Sequence, residues 1–297
     1  GDAAGERLHR PDWRAQLESR RLGTTGVLSL KRYGIDLEEE CLVVFQEITE
    51  SYARGVISSS ETENDKEYCI GVDLLVDIRR VIEIARGEAL EVTREGTVFK
   101  KTEDKLESQL LTSAYQELFD GASVHHVIAL CKALRVVDQG DHYLRVDPMR
   151  QRLWMKKRLR SMIRSIFEIY QNDNRGNRWS FHQRTIREIF LERLTEFSSH
   201  GWLPAKPLIT VTISRFLATV EEQGVAQTFK DLQMEEFHNG TLVVPLSRLS
   251  QDLSYWVVHR LVFAGLANLG FKEGNFNSLQ LSSIGEQFFK LDSPQSE

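Results

Sequence analysis

A chain of 297 residues, 41 % of them hydrophobic and 27 % charged, can hold one large domain or two to three small ones with real cores. Its formal charge of −5 argues against a histone-like binder coated in lysine but leaves room for a local basic patch. With no run of about 18 apolar residues and no amino-terminal apolar stretch before a cleavage pattern, the sequence excludes a spanning helix or secretory signal within these residues.

Cys41, Cys69 and Cys131 are widely separated and form no CxxC pair. They are expected as buried thiols in a reducing, cytoplasmic compartment, not as a disulfide framework or a zinc site.

The opening "GDAAGERLHRP" reads as a flexible or truncated start, and residues 1–25 as irregular or as a short helix around Trp13 to Leu22. "GVLSLKRYG" has β alternation. "LEEECLVVFQEITESYARG" predicts a helix from Leu37 with Leu42, Phe45, Ile48, Tyr52 and Ala53 on one side and Gly55 as its stop. "ISSSETENDKE" is a polar connection. Residues 69–86 read as a helix ended by Gly87, in which Asp73 and Asp77 lie one turn apart. Those two acids are expected on a solvated face near Arg79 and Arg80.

Leu90 and Val92 precede Arg94-Glu95-Gly96, and Val98 with Phe99 follows, which predicts a small hairpin turning at the glycine. From Lys105 an apolar stripe of Leu106, Leu110, Leu111, Ala114, Tyr115, Leu118 and Phe119 predicts a helix. A second, 123–134, follows Gly121 with Val124, Val127, Ile128, Cys131 and Leu134 inward. "VVDQGDHYLRVDP" is another hairpin, turning at Gln139-Gly140-Asp141. Helix, short turn, helix, hairpin is the order of a winged helix. The hairpin is needed because two short helices bury too little apolar surface, so a small sheet closes the core.

Residues 149–170 read as one long basic helix with Leu153, Trp154, Leu159, Met162, Ile163, Ile166 and Phe167 inward. "QNDNRGNR" is the best internal boundary. A helix over 182–197 follows, then "SSHGWLPAKP" as a joint or a loop pinned by Trp202. "LITVTISRFLATVEEQG" is expected to begin extended and turn helical. "HNGTLVVPLSRL" carries an Asn-Gly turn and a strand, "LSYWVVHRLVFAGLANLG" a helix ending at Gly270, and "FKEGNFNSLQLSSIGEQFF" two strands closing on Gly285. The fold expected is mainly α with small β-hairpins around 90–100, 136–146 and 270–283, in tandem winged-helix-like domains. The division expected is an acidic, mostly helical 1–87, a winged-helix-like 88–170 with the basic helix, and a helical connection with a second winged-helix-like domain over 171–297.

No catalytic motif occurs: no GxxxxGK[ST] loop, no GxGxxG after a strand, no HExxH and no GxSxG. His125 and His126 are adjacent and diverge on a helix, and the sequence suggests no further metal ligands. The reading is therefore a protein that is not an enzyme, with no catalytic residue, metal or cofactor.

Over 145–164 eight basic residues stand against one acid, Asp147. Arg150, Arg152, Lys156, Lys157, Arg158, Arg160 and Arg164 are candidate phosphate contacts on double-stranded DNA. His125, His126, Lys132 and Arg135 are the residues expected to face outward on or just after the helix over 123–134. They are few for reading base edges, so phosphate or shape contact fits better than a specific operator. Trp154 falls in line with the apolar face and reads as core, not as a stacking platform. The same cations also fit a solvated helix face, or docking onto the acidic first domain or a partner protein.

The stretch "LLVDIRRVIEIARGEALEVTREGTVFKKTEDKLESQL" resembles the helicase-associated amino-terminal module of bacterial relatives of the XPB helicase. Leu90, Thr93, Gly96, Phe99, Lys100 and Leu106 fill that module's pattern. "LVFAGLANLGFKEG…LQLSSIGEQFF" similarly resembles its closing winged-helix element, with Leu281 and Gly285 before a short terminal helix. No helicase motor is present in these residues. The resemblance implies a tandem winged-helix scaffold acting beside an ATPase, encoded in the same chain or on a partner. Small acidic winged-helix proteins also partner chromosome-organising SMC-type ATPases. The alternative is therefore a protein-interaction scaffold or dimerising subunit, a homo-oligomer included, of a chromosome-organising or defence complex without direct DNA binding.

Overall fold

Helices carry most of the described residues, and three small antiparallel sheets join them. The computed structural model describes residues 13–29, 38–59, 62–88, 90–118, 123–140, 142–172, 181–219, 224 and 245–290. The end of the first β run ("KRYG"), Phe119, Gly121, Asp141, most of "QNDNRGNR" and the Asn-Gly turn of "HNGTLVVP" lie outside them.

Helix α1 (Trp13–Ser19) leads into strands β1 (Gly23–Ser29) and β2 (Glu38–Val44), which pair antiparallel from Gly23↔Val44 to Ser29↔Glu38. The single helix expected from Leu37 is thus a strand followed by a helix, α2 (Gln46–Ser59). Helical spacing in "EEECLVV" loses to cross-strand pairing with β1. Gly55 does not stop α2, because Ala53 and Ile57 on either side of it are buried and hold the helix through it. The inward side also differs: Phe45, Ile48 and Tyr52 are exposed, Tyr52 to 73 %.

The next run is β3 (Lys66–Tyr68), α3 (Asp73–Gly87), β4 (Leu90–Glu91), α4 (Lys100–Glu107), a 3-10 segment (Leu111–Leu118), α5 (Ser123–Ala133), β5 (Val137–Gln139) and β6 (Tyr143–Val146). Leu74, Ile78, Val81 and Ile82 recur at helical spacing on α3 and are buried. The glycine turn forms as expected: Val92 bridges Val98, and Gly96 has φ of +83°. Strand β4, however, pairs with β6 (Leu90↔Leu144), giving the sheet order β4-β6-β5.

The helix expected from Lys105 is instead α4, already begun at Lys100, and the 3-10 segment kinked at Tyr115. The cause lies on α3. Asp77 is 0 % exposed, and its carboxylate accepts from Leu111 N at 2.8 Å, Thr112 N at 2.8 Å and Thr112 Oγ1 at 2.7 Å. It caps the 3-10 segment and so corrects the expected solvated position. Asp73 accepts from the Tyr115 hydroxyl at 3.0 Å.

The basic stretch is two helices, α6 (Pro148–Met155) and α7 (Leu159–Gln171), with a break at 156–158 where Arg158 is extended. Leu153 and Leu159, expected inward, are exposed, while Trp154 is only 4 % exposed. Ile163, Ile166 and Tyr170 form α7's buried face.

The last third holds α8 (Phe181–Phe197), a 3-10 turn (Ser198–His200), β7 (Leu203–Pro204), α9 (Ala205–Thr219), α10 (Pro245–Trp256), a π-helical turn (Val257–Val262), β8 (Ala267–Lys272), β9 (Asn275–Leu281) and α11 (Ser283–Lys290). Residues 208–211 are helical, not extended. The Thr210 and Thr212 hydroxyls donate to the carbonyls of Lys206 and Leu208 at 2.9 and 2.8 Å, which suits β-branched residues to a helix. The helix expected to reach Gly270 ends earlier, at Gly265 with φ of +73°.

Among the described residues, 73–146 and 181–281 both run helix, short strand, helices, hairpin with 3-10 or π turns between them, and in each the short strand pairs with the hairpin's second strand. Strand β3 adds to the second sheet, order β3-β8-β9-β7, through Lys66↔Phe271 and Tyr68↔Leu269. Pairing therefore joins residues on both sides of the expected boundary at 87, and one continuous set of buried side chains runs from Ile57 to Phe288. Cys131 is buried as expected, whereas Cys69 is exposed because it follows buried Tyr68 where the chain leaves the sheet. The side chain of Cys41 lies outside the described residues.

Candidate nucleic-acid interface

The basic segment is held directly against the first hairpin. Asp147, the residue after β6, caps α6 by accepting from Met149 N at 2.9 Å and Arg150 N at 3.0 Å, with Pro148 at the first helical position. The cap fixes where the cations begin. Trp154 then plants α6 in the core, and the break at 156–158 carries its charges on an exposed turn.

The seven candidates of this segment differ in what they meet. Arg150 Nε lies 3.4 Å from the Asp147 carboxylate, which partly neutralises it. Lys157 Nζ donates to Ser165 Oγ at 2.7 Å and sits 5.2 Å over the Trp154 ring. Arg160 is half-buried, and the Arg164 guanidinium lies 6.0 Å from the Phe288 ring. Arg152, Lys156 and Arg158 are exposed and form no ion pair among the described residues.

Helix α5 presents less than its sequence suggests. His125 Nε2 lies 2.9 Å from Glu103. His126, expected outward, packs inward against α7 and the last third: Nε2 is 2.8 Å from the Tyr170 hydroxyl of α7, Nδ1 is 3.2 Å from Arg260, and Phe263 stands edge-on to the ring. Burial, then the Arg260 charge, then His259 push its pKa down to about 3. The cause is tertiary. The π-helical turn after α10 covers this part of α5, so a residue beside the α5 core face meets partners from another element. Lys132 Nζ donates to Gly96 O at 2.8 Å and Gln139 Oε1 at 3.1 Å, tying the glycine turn to the hairpin, and burial lowers its pKa. Arg135, with φ of 57°, is exposed where α5 turns into β5.

Sequence reasoning misses two cations as candidates. Arg86 at the end of α3 and Arg145 on β6 line the same groove as Arg152. Arg145 belongs to the basic run by sequence, but only folding brings Arg86 beside it. No group of three or more His, Cys, Asp or Glu able to hold a metal occurs among the described residues, and no described helix is long and apolar enough to cross a membrane. No protein-family model matches the chain, and no curated protein or solved structure matches it either.

Proposed function

We propose that the chain is a non-catalytic, tandem winged-helix module that contacts double-stranded DNA through its phosphates and works beside an ATPase or another nucleic-acid machine. The two runs with one element order and one strand pairing support the tandem reading. The observation that carries DNA contact is the exposed turn at 156–158, where Lys156 and Arg158 form no ion pair among the described residues. Packed His126 and tethered Lys132 leave α5 little to offer base edges, which favours sequence-independent contact.

Binding of the full chain to random duplex and to single strand across a salt series tests this. Lys156→Ala, Lys157→Ala and Arg158→Ala together should weaken all duplexes alike and flatten the slope of log K against log salt by about 2–3. Absence of duplex binding at low salt, or identical curves for the two proteins, refutes it.

The second reading, a scaffold without DNA contact, is favoured by one observation. Val27, Val43, Phe45 and Tyr52 are exposed on the amino-terminal hairpin and the first half of α2. It predicts self-association by light scattering and no duplex binding.

A further inference from the structure

The end of α3, strand β6 and helix α6 enclose an open groove of about 860 Å³. Val146 and Met155, both half-buried, supply apolar surface, while Arg86, Arg145 and Arg152 supply charge. None of the three arginines forms an ion pair among the described residues. The acid in the lining, Glu88, is held by Lys105. Asp138 faces Arg145 in the hairpin register without forming an ion pair with it. On the neighbouring surface of α6, Met149 and Leu153 are exposed one helical turn apart.

We infer that this groove binds an acidic amphipathic helix of a partner protein. Apolar side chains of that helix lie on the groove floor and against Leu153, and its carboxylates meet Arg86, Arg145 and Arg152. Guanidinium groups suit this role because their planar donors match a carboxylate in two-point contact. A phosphodiester backbone would engage the arginines but gain nothing from an apolar floor. An added β-strand is disfavoured by topology, since β6 is the middle strand and past β4 only Arg145 and Val146 leave an unpaired edge, too short to seat a strand. A helix seated by its apolar stripe needs no free strand edge. The inference rests on the reading of the chain as a module that works beside another protein, and is independent of its contact with DNA.

Panning a phage-displayed pool of random peptides on the biotinylated full chain tests it. The expected result is enrichment of peptides with apolar residues at helical spacing interleaved with Asp and Glu. A fluorescein-labelled copy of an enriched peptide should lose roughly tenfold in affinity with the Arg86→Glu, Arg145→Glu, Arg152→Glu protein. The Gln variants of the same three positions should give a smaller loss in the same direction, which guards against misfolding of the reversal. The Lys156→Ala, Lys157→Ala, Arg158→Ala protein should bind the peptide as the wild type does, whatever it does to duplex binding. No enrichment, enriched peptides without acids, or affinity unmoved by both arginine sets would overturn the inference. So would loss of duplex binding on reversal with no peptide bound, which would make the groove part of a nucleic-acid surface.

Discussion

Arg260 donates a hydrogen bond to Nδ1 of His126 at 3.2 Å. A guanidinium only donates, so Nδ1 must accept, and the imidazole proton is on Nε2, where it is given to the Tyr170 hydroxyl at 2.8 Å. This neutral tautomer joins α5 to α7 and to the π-helical turn after α10. Protonating Nδ1 would set an N–H against a cation.

The pH dependence follows with a definite sign. The folded pKa of His126, pushed down to about 3, lies below the unfolded value of about 6.5. As pH falls, the unfolded chain takes the proton first. The contribution to stability is complete above about pH 6.5 and declines between there and about pH 3. With an unfolded value of about 6.5, the loss accumulated by pH 5 is at most about 2 kcal/mol. Urea denaturation at neutral and mildly acid pH should show this loss in the wild type and a flatter profile in His126→Gln. Equal slopes would show that the histidine is not held neutral.

Asp77 should be among the least replaceable polar residues. Its carboxylate satisfies three donors at the start of the 3-10 segment, two of them belonging to Thr112. Asp77→Leu leaves buried donors unmatched and should lower stability by about 3 kcal/mol or more. Thr112→Ser keeps every bond and should cost less than about 1 kcal/mol. Thermal unfolding of the two variants distinguishes capping from mere packing, and similar losses would refute the cap.

Two glycines are set by close backbone approach. A Cβ on Gly285 would lie 1.9 Å from Leu266 O, and one on Gly265 would lie 1.8 Å from Gly71 O. Gly285→Ala should therefore destabilise by about 2–3 kcal/mol through displacement of α11 from the hairpin, whereas Gly55→Ala, in open space, should be neutral or slightly stabilising. Calorimetric midpoints would rank the two, and the reverse ranking would contradict the packing.

Trp154 separates a core role from a stacking one. At 4 % exposure it has almost no face to offer a base. Trp154→Ala should cost about 3–5 kcal/mol, and Trp154→Phe much less with DNA affinity unchanged. A folded Trp154→Phe protein that had lost affinity for single strands selectively would point to stacking after all.

Much of the fold is legible because its signals are local. The Leu74, Ile78, Val81, Ile82 stripe marks α3, Val124 to Cys131 marks α5, and glycine turns mark the hairpins β5–β6 and β8–β9. Of the site, the basic run is visible as charge, and Trp154 as core by its place among apolar neighbours. What the pattern does not carry is what packs against each face. The segment 38–44 has residues for a helix or a strand, and pairing with β1 decides. A single helix through 149–170 satisfies periodicity, yet it breaks at 156–158, with Trp154 buried before the break and Ile163 after it.

Periodicity and turn chemistry act over a few residues, so the local pattern places most helices, the later hairpins and the positive charge. Tertiary structure alone decided that Tyr68 pairs with Leu269, that Arg86 joins Arg145 and Arg152, and that Asp77 and His126 turn inward. The physical reason is the same in each case. A polar side chain can be buried only where a partner from another element meets its hydrogen-bonding groups, and a strand edge stays paired only where another strand reaches it. Those partners lie tens to hundreds of residues away, beyond the reach of any local pattern.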